Sequence, residues 1–434
     1  MALLDALTKS RWKTPLIWLG GFLLFAIFVV WNRDFYTFLR YLTLGLPQGA
    51  IIALIAVGYS MVYGIIQLIN FAHGEVFMLS TYFTLMLMVP VIGDQHLGLS
   101  IITVSVGFMA ACAAWVALSK RVPARGKRLL MCAAVWAGVS TLNHFLVPHA
   151  PGDALPFWVA VAIALVYSCC LGVTMDLLAY RPLRNSPRLI PLITAIGLSL
   201  FFQNFAQAIW GSTPRDFPHD GKPAIFNDDN IVLANMTDRF GNTNALMTTT
   251  LDLVIIGVAI MLLLGLQLFI HYTRTGKAMR ACAQDRITAG LMGIQTNRVV
   301  ALAFALGAGL AAAAAPLYVL RGTFLAPTMG YIVGILAFSS AVLGGIGNIT
   351  GAMLGGLIIG IIFTFVPMFD TFDTFLIFEK MEAWGWVTRQ GWNELVNKVG
   401  RPGQYQLGVA YAFMILIIVF KPTGLLGKAS ANRA

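Results

Sequence analysis

Two long apolar runs on either side of a basic segment decide the fold. Residues 251–271 read LDLVIIGVAIMLLLGLQLFIH, residues 272–298 read YTRTGKAMRACAQDRITAGLMGIQTNR, and residues 299–320 read VVALAFALGAGLAAAAAPLYVL. Each apolar run has about the 20 residues that an α-helix needs to cross the hydrocarbon core of a bilayer. The segment between them carries the Lys and Arg that are typical of cytoplasmic loops. The stretch therefore predicts two transmembrane helices joined on the cytoplasmic side.

Composition places the whole chain in a membrane. Of its 434 residues, 58% are hydrophobic and only 11% are charged, whereas soluble domains carry about 25% charged residues. The formal net charge of +11 would suit a nucleic-acid partner, but the sequence has no basic and aromatic soluble module to hold one. In a membrane protein, Lys and Arg collect in cytoplasmic loops instead. We therefore expect membrane lipid, and no nucleic acid, as a partner.

Several chemistries are excluded by motifs that the sequence lacks. It has no GxxxxGK[ST] phosphate loop, no HExxH, no Gly-x-Ser-x-Gly elbow and no TVGYG-like filter. Its five cysteines lack the spacing of a zinc site or of a disulfide framework, so they are interpreted as small apolar packing residues. The sequence therefore predicts no catalytic residue, no metal site and no cofactor bound by this chain.

Further apolar runs raise the predicted number of spans to about twelve. Leu16–Trp31 follows three basic residues and lacks a small-residue cleavage site, which favours a retained helix over a signal peptide. The remaining runs lie at about 41–66, 76–92, 99–118, 129–147, 157–179, 189–210, 251–271, 299–320, 326–345, 350–369 and 406–420. The expected fold class is all-α, a polytopic bundle of transmembrane helices.

The distribution of charge predicts how this bundle is oriented. Basic segments at 120–128, 181–188, 272–298 and 421–433 alternate with mixed or acidic loops at 211–250 and 370–405. Because Lys and Arg mark the cytoplasmic side, the four basic segments are expected there and the two other loops outside. An even number of spans then places both the N-terminus and the C-terminus in the cytoplasm.

Polar residues interrupt the apolar stretch Ala53–Met78, where Asn70, His73 and Glu75 occur together. They are explained either by a hydrogen-bonded cap and turn at the membrane surface or by polar groups that line or gate a path. Residue types alone favour the cap. We nevertheless retain the three residues as candidates for a translocation path or gate, because polar groups within spans mark such paths.

A second interrupted stretch runs from Arg181 to Asn204. Proline, glycine and serine occur within the span after its basic half, and Gln203 and Asn204 lie deep in that span. Broken helices with polar side chains are what a translocation path requires. Gln and Asn can equally bond neighbouring helices. Both interpretations stay open, and Gln203 and Asn204 join the candidates for a path or gate.

Small residues recur in Ala341–Gly360 at intervals of four. Gly347, Gly351 and Gly355 form this stripe. In membranes, such spacing lets helix backbones approach closely. The stripe therefore predicts tight helix packing, and it carries little information about ligand binding.

Four stretches together resemble a known family. They are ALIAVGYSMVYGIIQLINFAHGEVFM at 53–78, AYRPLRNSPRLIPLITAIGLSLFFQN at 179–204, TGKAMRACAQDRITAGLMGI at 275–294 and AVLGGIGNITGAMLGGLIIG at 341–360. Their sequences and order are similar to those of the permease subunits of branched-chain amino acid ABC importers, of the H type. The resemblance covers about half of the chain.

The resemblance implies a multi-pass permease of the bacterial cell inner membrane that imports Leu, Ile or Val by alternating access. It also implies a second, paralogous permease subunit, two cytoplasmic ATPase subunits that use ATP, and a periplasmic amino-acid-binding protein. Within segment 272–298, the family's ATPase-docking loop corresponds to Thr275–Ile294. The matching positions are Gly276, Arg280, Ala281, Ala283, Asp285, Ala289 and Gly293.

This chain departs from the family in three places. It has an additional N-terminal helix within 1–40, an inserted transmembrane region at 95–155, and a longer segment at 370–405. The expected division is therefore 1–40, a first permease block at 41–94, the insertion at 95–155, and the remainder of the permease at 156–434. About nine family-like spans plus three additional ones reproduce the total of about twelve.

Two other functions are kept as alternatives. Permeases of related importers for urea, amides or other amino acids share the pattern more loosely. An ion-coupled secondary transporter belongs to a different class, and such transporters usually need ionisable groups in their path. The sparse charge within the spans argues against that second alternative.

Overall fold

The computed structural model is almost entirely helical. It describes residues 24–88, 96–118, 125–146, 155–184, 186–187, 189–216, 226, 230–237, 243–322 and 324–427. The first half of the predicted helix Leu16–Trp31 lies outside these residues, and its second half is helical over residues 24–32, here called α1.

The first half of the chain continues with α2 (Phe35–Ile66), α3 (His73–Met88), α4 (His96–Leu118), α5 (Arg125–Leu146), α6 (Phe157–Met175) and α7 (Leu189–Trp210). A single π-helical turn, Asp176–Tyr180, extends α6.

The second half contains a two-stranded hairpin and nine helices in the part that the structure describes. The hairpin pairs β1 (Asn230–Thr237) with β2 (Thr243–Thr249) in antiparallel register. The helices are α8 (Thr250–Tyr272), α9 (Arg274–Gln284), α10 (Arg286–Leu291), α11 (Thr296–Leu320), α12 (Met329–Gly344), α13 (Ile349–Phe365), α14 (Leu376–Ala383), α15 (Arg389–Val399) and α16 (Gln406–Phe420). Short 3₁₀ segments occupy Val366–Thr374 and Pro402–Tyr405. The hairpin is a feature that the sequence analysis assigned to an outside loop.

Eight helical segments within the described residues are long and apolar enough to cross a membrane. Two shorter apolar segments, Thr103–Leu118 and Met329–Gly344, accompany them. This supports an all-α polytopic membrane protein. A total of about twelve spans, and the side on which each terminus lies, stay predictions.

Helix α3 is the centre of the bundle. All of its 16 residues are buried, and α2, α6, α11 and α12 pack around it. Its first residue, His73, lies against Gly58, two turns before the end of α2, and Gly307, in the middle of α11. After α2 ends, residues 67–72 therefore bring the chain back into the bundle before α3 begins.

Polar contacts tie helix ends together at both ends of the bundle. At one end, Arg321 Nε donates to Asp252 Oδ1 at 2.9 Å, and Arg321 Nη2 donates to the Leu44 carbonyl at 2.8 Å. At the other end, the Arg184 guanidinium pairs with Asp176 and donates to Asn297 Oδ1 at 2.7 Å. The predicted cytoplasmic loops 181–188 and 272–298 therefore share one end of the bundle.

The segments that are predicted to be additions to the family pattern pack onto other parts of the molecule. Helix α1 contacts the 366–378 region, where Asn32 Oδ1 accepts a hydrogen bond from the Ile377 amide at 3.1 Å. Helices α4 and α5, in the predicted insertion, pack against each other, and Asn143 Oδ1 accepts a hydrogen bond at 2.6 Å from the Tyr167 hydroxyl of α6.

Candidate functional site

Three of the predicted path residues are buried at the start of α3. The exposed fractions are 3% for Asn70, 2% for His73 and 0% for Glu75. These side chains lie among helices, directly after a turn at 67–72 whose first residue, Gln67, is exposed. Their role in a path or gate stays a prediction.

Glu75 connects α3 with α7 and α12. Its Oε1 atom accepts hydrogen bonds from Ser199 Oγ at 2.9 Å and from Gln203 Nε2 at 2.8 Å. Its Oε2 atom is buried without a hydrogen-bond partner and lies against Gly330, where a Cβ atom would be only 2.4 Å away. Glycine at position 330 therefore makes room for this oxygen.

His73 points to the opposite neighbours, α2 and α11. Its ring packs edge-on against Tyr59, with ring centroids 4.7 Å apart. Its Nε2 atom is buried without a hydrogen-bond partner, and a Cβ atom on Gly58 would lie 2.5 Å from it. The close approach of α2 and α11 at Gly58 and Gly307 thus leaves a space that the imidazole fills.

Asn70 binds the π-helical turn that extends α6. Its Oδ1 atom accepts a hydrogen bond from the Tyr180 hydroxyl at 2.6 Å, while its Nδ2 atom is buried without a partner. A cavity of about 10 Å³ adjoins it, which is space for roughly one water molecule. The cavity is lined by Tyr59, Tyr63, Ile69, Asn70, Phe338, Ala341 and Ile346.

The structure brings Gln203 to this cluster but leaves Asn204 outside it. Asn204 is exposed, and its Nδ2 atom donates to the Leu200 carbonyl of its own helix at 2.7 Å. Consecutive helical residues point about 100° apart, so both could not face α3. Ser199 is a further partner of Glu75 that was not among the predicted site residues, although it lies four residues before Gln203 and so on the same helical face.

The predicted docking segment forms two short helices, α9 and α10, separated by Asp285. Thr273 Oγ1 accepts a hydrogen bond from the Gly276 amide at 3.0 Å and caps α9. The Asp285 carboxylate caps α10, where Oδ1 accepts from the amides of Ile287 at 2.9 Å and Thr288 at 3.3 Å. Both caps satisfy amides that a helix start leaves unpaired.

Small and buried residues attach this segment to the bundle. Gly276 lies against the end of α8, where a Cβ atom would meet the Phe269 and Ile270 carbonyls at 2.4 Å. Ala289 is buried in α10, and Gly293 turns the chain toward α11 with φ +83°. Arg280 donates to the His271 carbonyl at 3.3 Å. Ala281 and Ala283 are half-buried on α9.

The outer side of α10 carries a strongly exposed apolar patch. Ile287 is 79% exposed, Leu291 82% and Met292 80%. Close by, burial and the positive charge of Arg184 lower the pKa of the Arg286 guanidinium, while Asp176 acts in the opposite direction. The patch therefore adjoins a cluster of cations at the predicted cytoplasmic end.

The glycine stripe divides between a turn and a helix. Gly347 lies in the turn before α13 with φ +89°, and its amide donates to Ser60 Oγ at 3.0 Å. Gly351 and Gly355 lie on α13 against α12, where Cβ atoms would meet the carbonyls of Gly344 at 2.2 Å and Ser340 at 2.1 Å.

Known proteins share sequence with this chain over nearly its full length. Residues 41–418 match the family described as branched-chain amino acid transport system, permease component. The high-affinity branched-chain amino acid transport system permease protein LivH of Salmonella typhimurium is 35% identical over 405 residues, which cover 93% of this chain and 99% of that protein. The corresponding protein BraD of Pseudomonas aeruginosa is 32% identical over 400 residues, covering 92% and 99%.

A more distant relative is archaeal. The probable branched-chain amino acid transport permease protein LivH of Methanocaldococcus jannaschii is 27% identical over 237 residues, covering 52% of this chain and 68% of that protein. No solved structure matches the chain significantly.

Proposed function

Because this chain belongs to the family of permease components of branched-chain amino acid transport systems, we propose that it forms part of the path by which Leu, Ile or Val enters the cell. The observation that carries this proposal is the similarity to a high-affinity permease protein over 93% of the chain. Together with eight candidate spans, it supports a multi-pass location in the bacterial inner membrane.

The energy for transport would come from a separate subunit. The chain has no phosphate loop, so ATP would be bound and hydrolysed by two cytoplasmic ATPase subunits and not by this chain. A second, paralogous permease subunit would complete the membrane part, and a periplasmic binding protein would deliver the amino acid. These partners are proposed from the family.

The patch of Ile287, Leu291 and Met292 is the proposed contact with the ATPase. Three large apolar side chains, each about 80% exposed on one short helix, would be buried against a groove of that partner. Gly276 packs against the end of α8. Arg286 interacts electrostatically with Asp176, which lies in the turn that extends α6. A displacement of α9 and α10 by the ATPase would therefore be passed to the transmembrane helices.

Alternating access requires helices around α3 to change their contacts. The polar cluster at the start of α3 reaches α7 through Glu75, α6 through Asn70, and α2 and α11 through His73. We place the translocation path beside this cluster, since buried polar groups within spans mark such paths.

Reconstitution tests the proposal. The chain would be assembled in proteoliposomes with its second permease and ATPase subunits, and uptake of labelled leucine measured with the loaded binding protein. We expect leucine uptake that requires ATP inside the proteoliposomes and the binding protein outside them. Uptake of urea or amides in place of leucine would support the related importers, and uptake driven by an ion gradient without the ATPase would overturn the proposal.

The ion-coupled alternative has one structural observation in its favour. Glu75 is a buried acid within a helix bundle, and such acids serve as proton or ion sites in secondary transporters. Imposing proton and sodium gradients on proteoliposomes that lack the ATPase separates the two mechanisms, because only a secondary transporter would accumulate substrate there.

A further inference from the structure

Glu75 differs from the other buried carboxylates of the described helices. Asp176 pairs with the Arg184 guanidinium, and Asp252 lies 2.9 Å from Arg321 Nε. Within the described residues, no Lys, Arg or His nitrogen approaches Glu75 within 4.0 Å. A carboxylate buried without a counter-charge is costly, so the missing cation calls for a physical explanation.

The hydrogen bonds of Glu75 are arranged asymmetrically. Oε1 accepts from Ser199 and Gln203, whereas Oε2 has no partner and faces the first turn of α12 at Gly330. Two fixed donors hold the carboxylate in one orientation and leave one oxygen available. A free carboxylate oxygen can accept a charge-assisted hydrogen bond from a cation.

We propose that Glu75 Oε2 accepts a hydrogen bond from the ammonium group of the transported amino acid. The permease would then recognise the α-amino group itself, while the surrounding apolar helices accept the aliphatic side chain. This inference rests on the proposed function, and it assigns to one residue the task of distinguishing a cationic nitrogen from the neutral nitrogen of an amide or of urea.

Helix α7 has space into which it can move to admit the substrate. On one side it holds Ser199 and Gln203 against Glu75. Its other side borders an apolar crevice of about 410 Å³ between α7, α6 and the inserted helices α4 and α5. Phe201, Phe202, Phe108 and Trp136 are among the residues that line it. A shift of α7 into this crevice would open room beside the carboxylate.

The test compares Glu75→Gln with Glu75→Asp in the complete importer. Gln keeps the shape of Glu and the ability to accept from Ser199 and Gln203, but it removes the charge, whereas Asp keeps the charge on a shorter side chain. We expect Glu75→Gln to lower leucine uptake by at least about tenfold, because a charge-assisted hydrogen bond is lost. Glu75→Asp should retain more uptake than Glu75→Gln.

The outcomes separate this inference from the proposed function. If the wild-type complex does not import leucine, the proposed function fails. If the wild type imports leucine and Glu75→Gln does so at the same rate, a structural carboxyl is sufficient and only the ammonium-binding role is overturned.

A second measurement uses the wild-type complex alone. A hydrophobic carbodiimide that reacts with buried carboxyls would be applied during turnover, and modification of Glu75 followed by peptide mass spectrometry. Leucine-loaded binding protein should slow the modification relative to the unloaded protein. An equal rate in the two states contradicts the proposal, whether or not the variants assemble.

Discussion

At the scale of single residues, glycines let helix backbones touch within the bundle. A Cβ atom on Gly360 of α13 would lie 2.2 Å from the Gly49 Cα atom of α2, and one on Gly356 would lie 2.4 Å from the Ala53 Cα atom. Lipid offers no hydrophobic driving force between helices, so close packing of this kind contributes much of their association. These positions are therefore sensitive to a single added methyl group.

Replacing Gly360 with Ala should destabilise the permease. The methyl group would collide with backbone atoms, which cannot rotate away, and overpacking of this kind costs about 1–3 kcal/mol. The measurement is thermal unfolding of the purified protein in detergent, where Gly360→Ala should lower Tm. The matched control is Gly265→Ala on α8, because within the described residues no atom beyond the backbone of its own helix lies within 4 Å of a Cβ there. An equal change in Tm for the two variants would show that the α2–α13 contact is not limiting.

Spacing along one helix could be read from the sequence, whereas contacts across helices could not. The Gly351 and Gly355 stripe was visible as a repeat of four, and both residues face α12. Gly347 fitted the same repeat but lies in a turn, because a positive φ of +89° takes it out of the helix. Ser199 and Gly330 became recognisable as neighbours of Glu75 only once α7 and α12 were placed beside α3.

At the scale of elements, α3 shows what hydropathy leaves out about the polar cluster. Hydropathy placed a span at about 76–92, and the helix in fact covers His73–Met88 and begins inside the bundle. Residues 67–72 are non-helical. They begin with Gln67, whose backbone lies in the left-handed region at φ +56°. An apolar run records that a segment is buried, but it does not record the depth at which a helix starts. Irregular backbone at such depth is tolerated only where protein surrounds it.

The docking segment shows a similar limit at its centre. Its basic composition and its position between two spans were visible, but the division into α9 and α10 depends on the Asp285 side chain capping a new helix. Residues 279–291 would share one face only if the helix were continuous. The break instead buries Met279 and Ala289 and exposes Ile287 and Leu291.

Leu291→Ser tests the proposed contact between α10 and the ATPase. Leu291 is 82% exposed, so the substitution should change the unfolding free energy of the isolated permease by no more than about 0.5 kcal/mol. Co-purification of the ATPase and ATP-dependent uptake should both fall severalfold, because apolar area is lost from the interface. Val399→Ser on α15, a residue 55% exposed at the predicted outer side, is the control and should leave both unchanged. Normal co-purification with Leu291→Ser would place the docking surface elsewhere.

At the scale of the whole molecule, the family could be identified from four stretches of sequence, and that identification is confirmed. The arrangement of the additional segments could not be predicted. Helix α1 and the 366–378 region are separated by more than 300 residues in the chain, yet Val29, Phe38, Phe365 and Phe375 pack together. Arg33 lies over the Phe375 ring at 4.8 Å. The hydropathy of one segment does not show which distant segment it packs against, since each segment alone is only an apolar run.

The orientation of the bundle provides a prediction about the whole molecule. The basic loops 181–188 and 272–298 share one end, so the rule that Lys and Arg stay inside assigns that end to the cytoplasm.

Single cysteines at Ile287 and at Trp386, which are 79% and 71% exposed, would be introduced after the five native cysteines are replaced. A membrane-impermeant maleimide should label position 386 in cells whose outer membrane is permeabilised, and position 287 only after the inner membrane is opened. The predicted spans 299–320, 326–345 and 350–369 make three crossings between the two positions. Labelling of both from the same side would require an even number of crossings, so one of these spans would be misassigned. A single cysteine at Arg181 should be labelled from the same side as position 287, because the ion pair and hydrogen bond of Arg184 hold both loops at one end of the bundle.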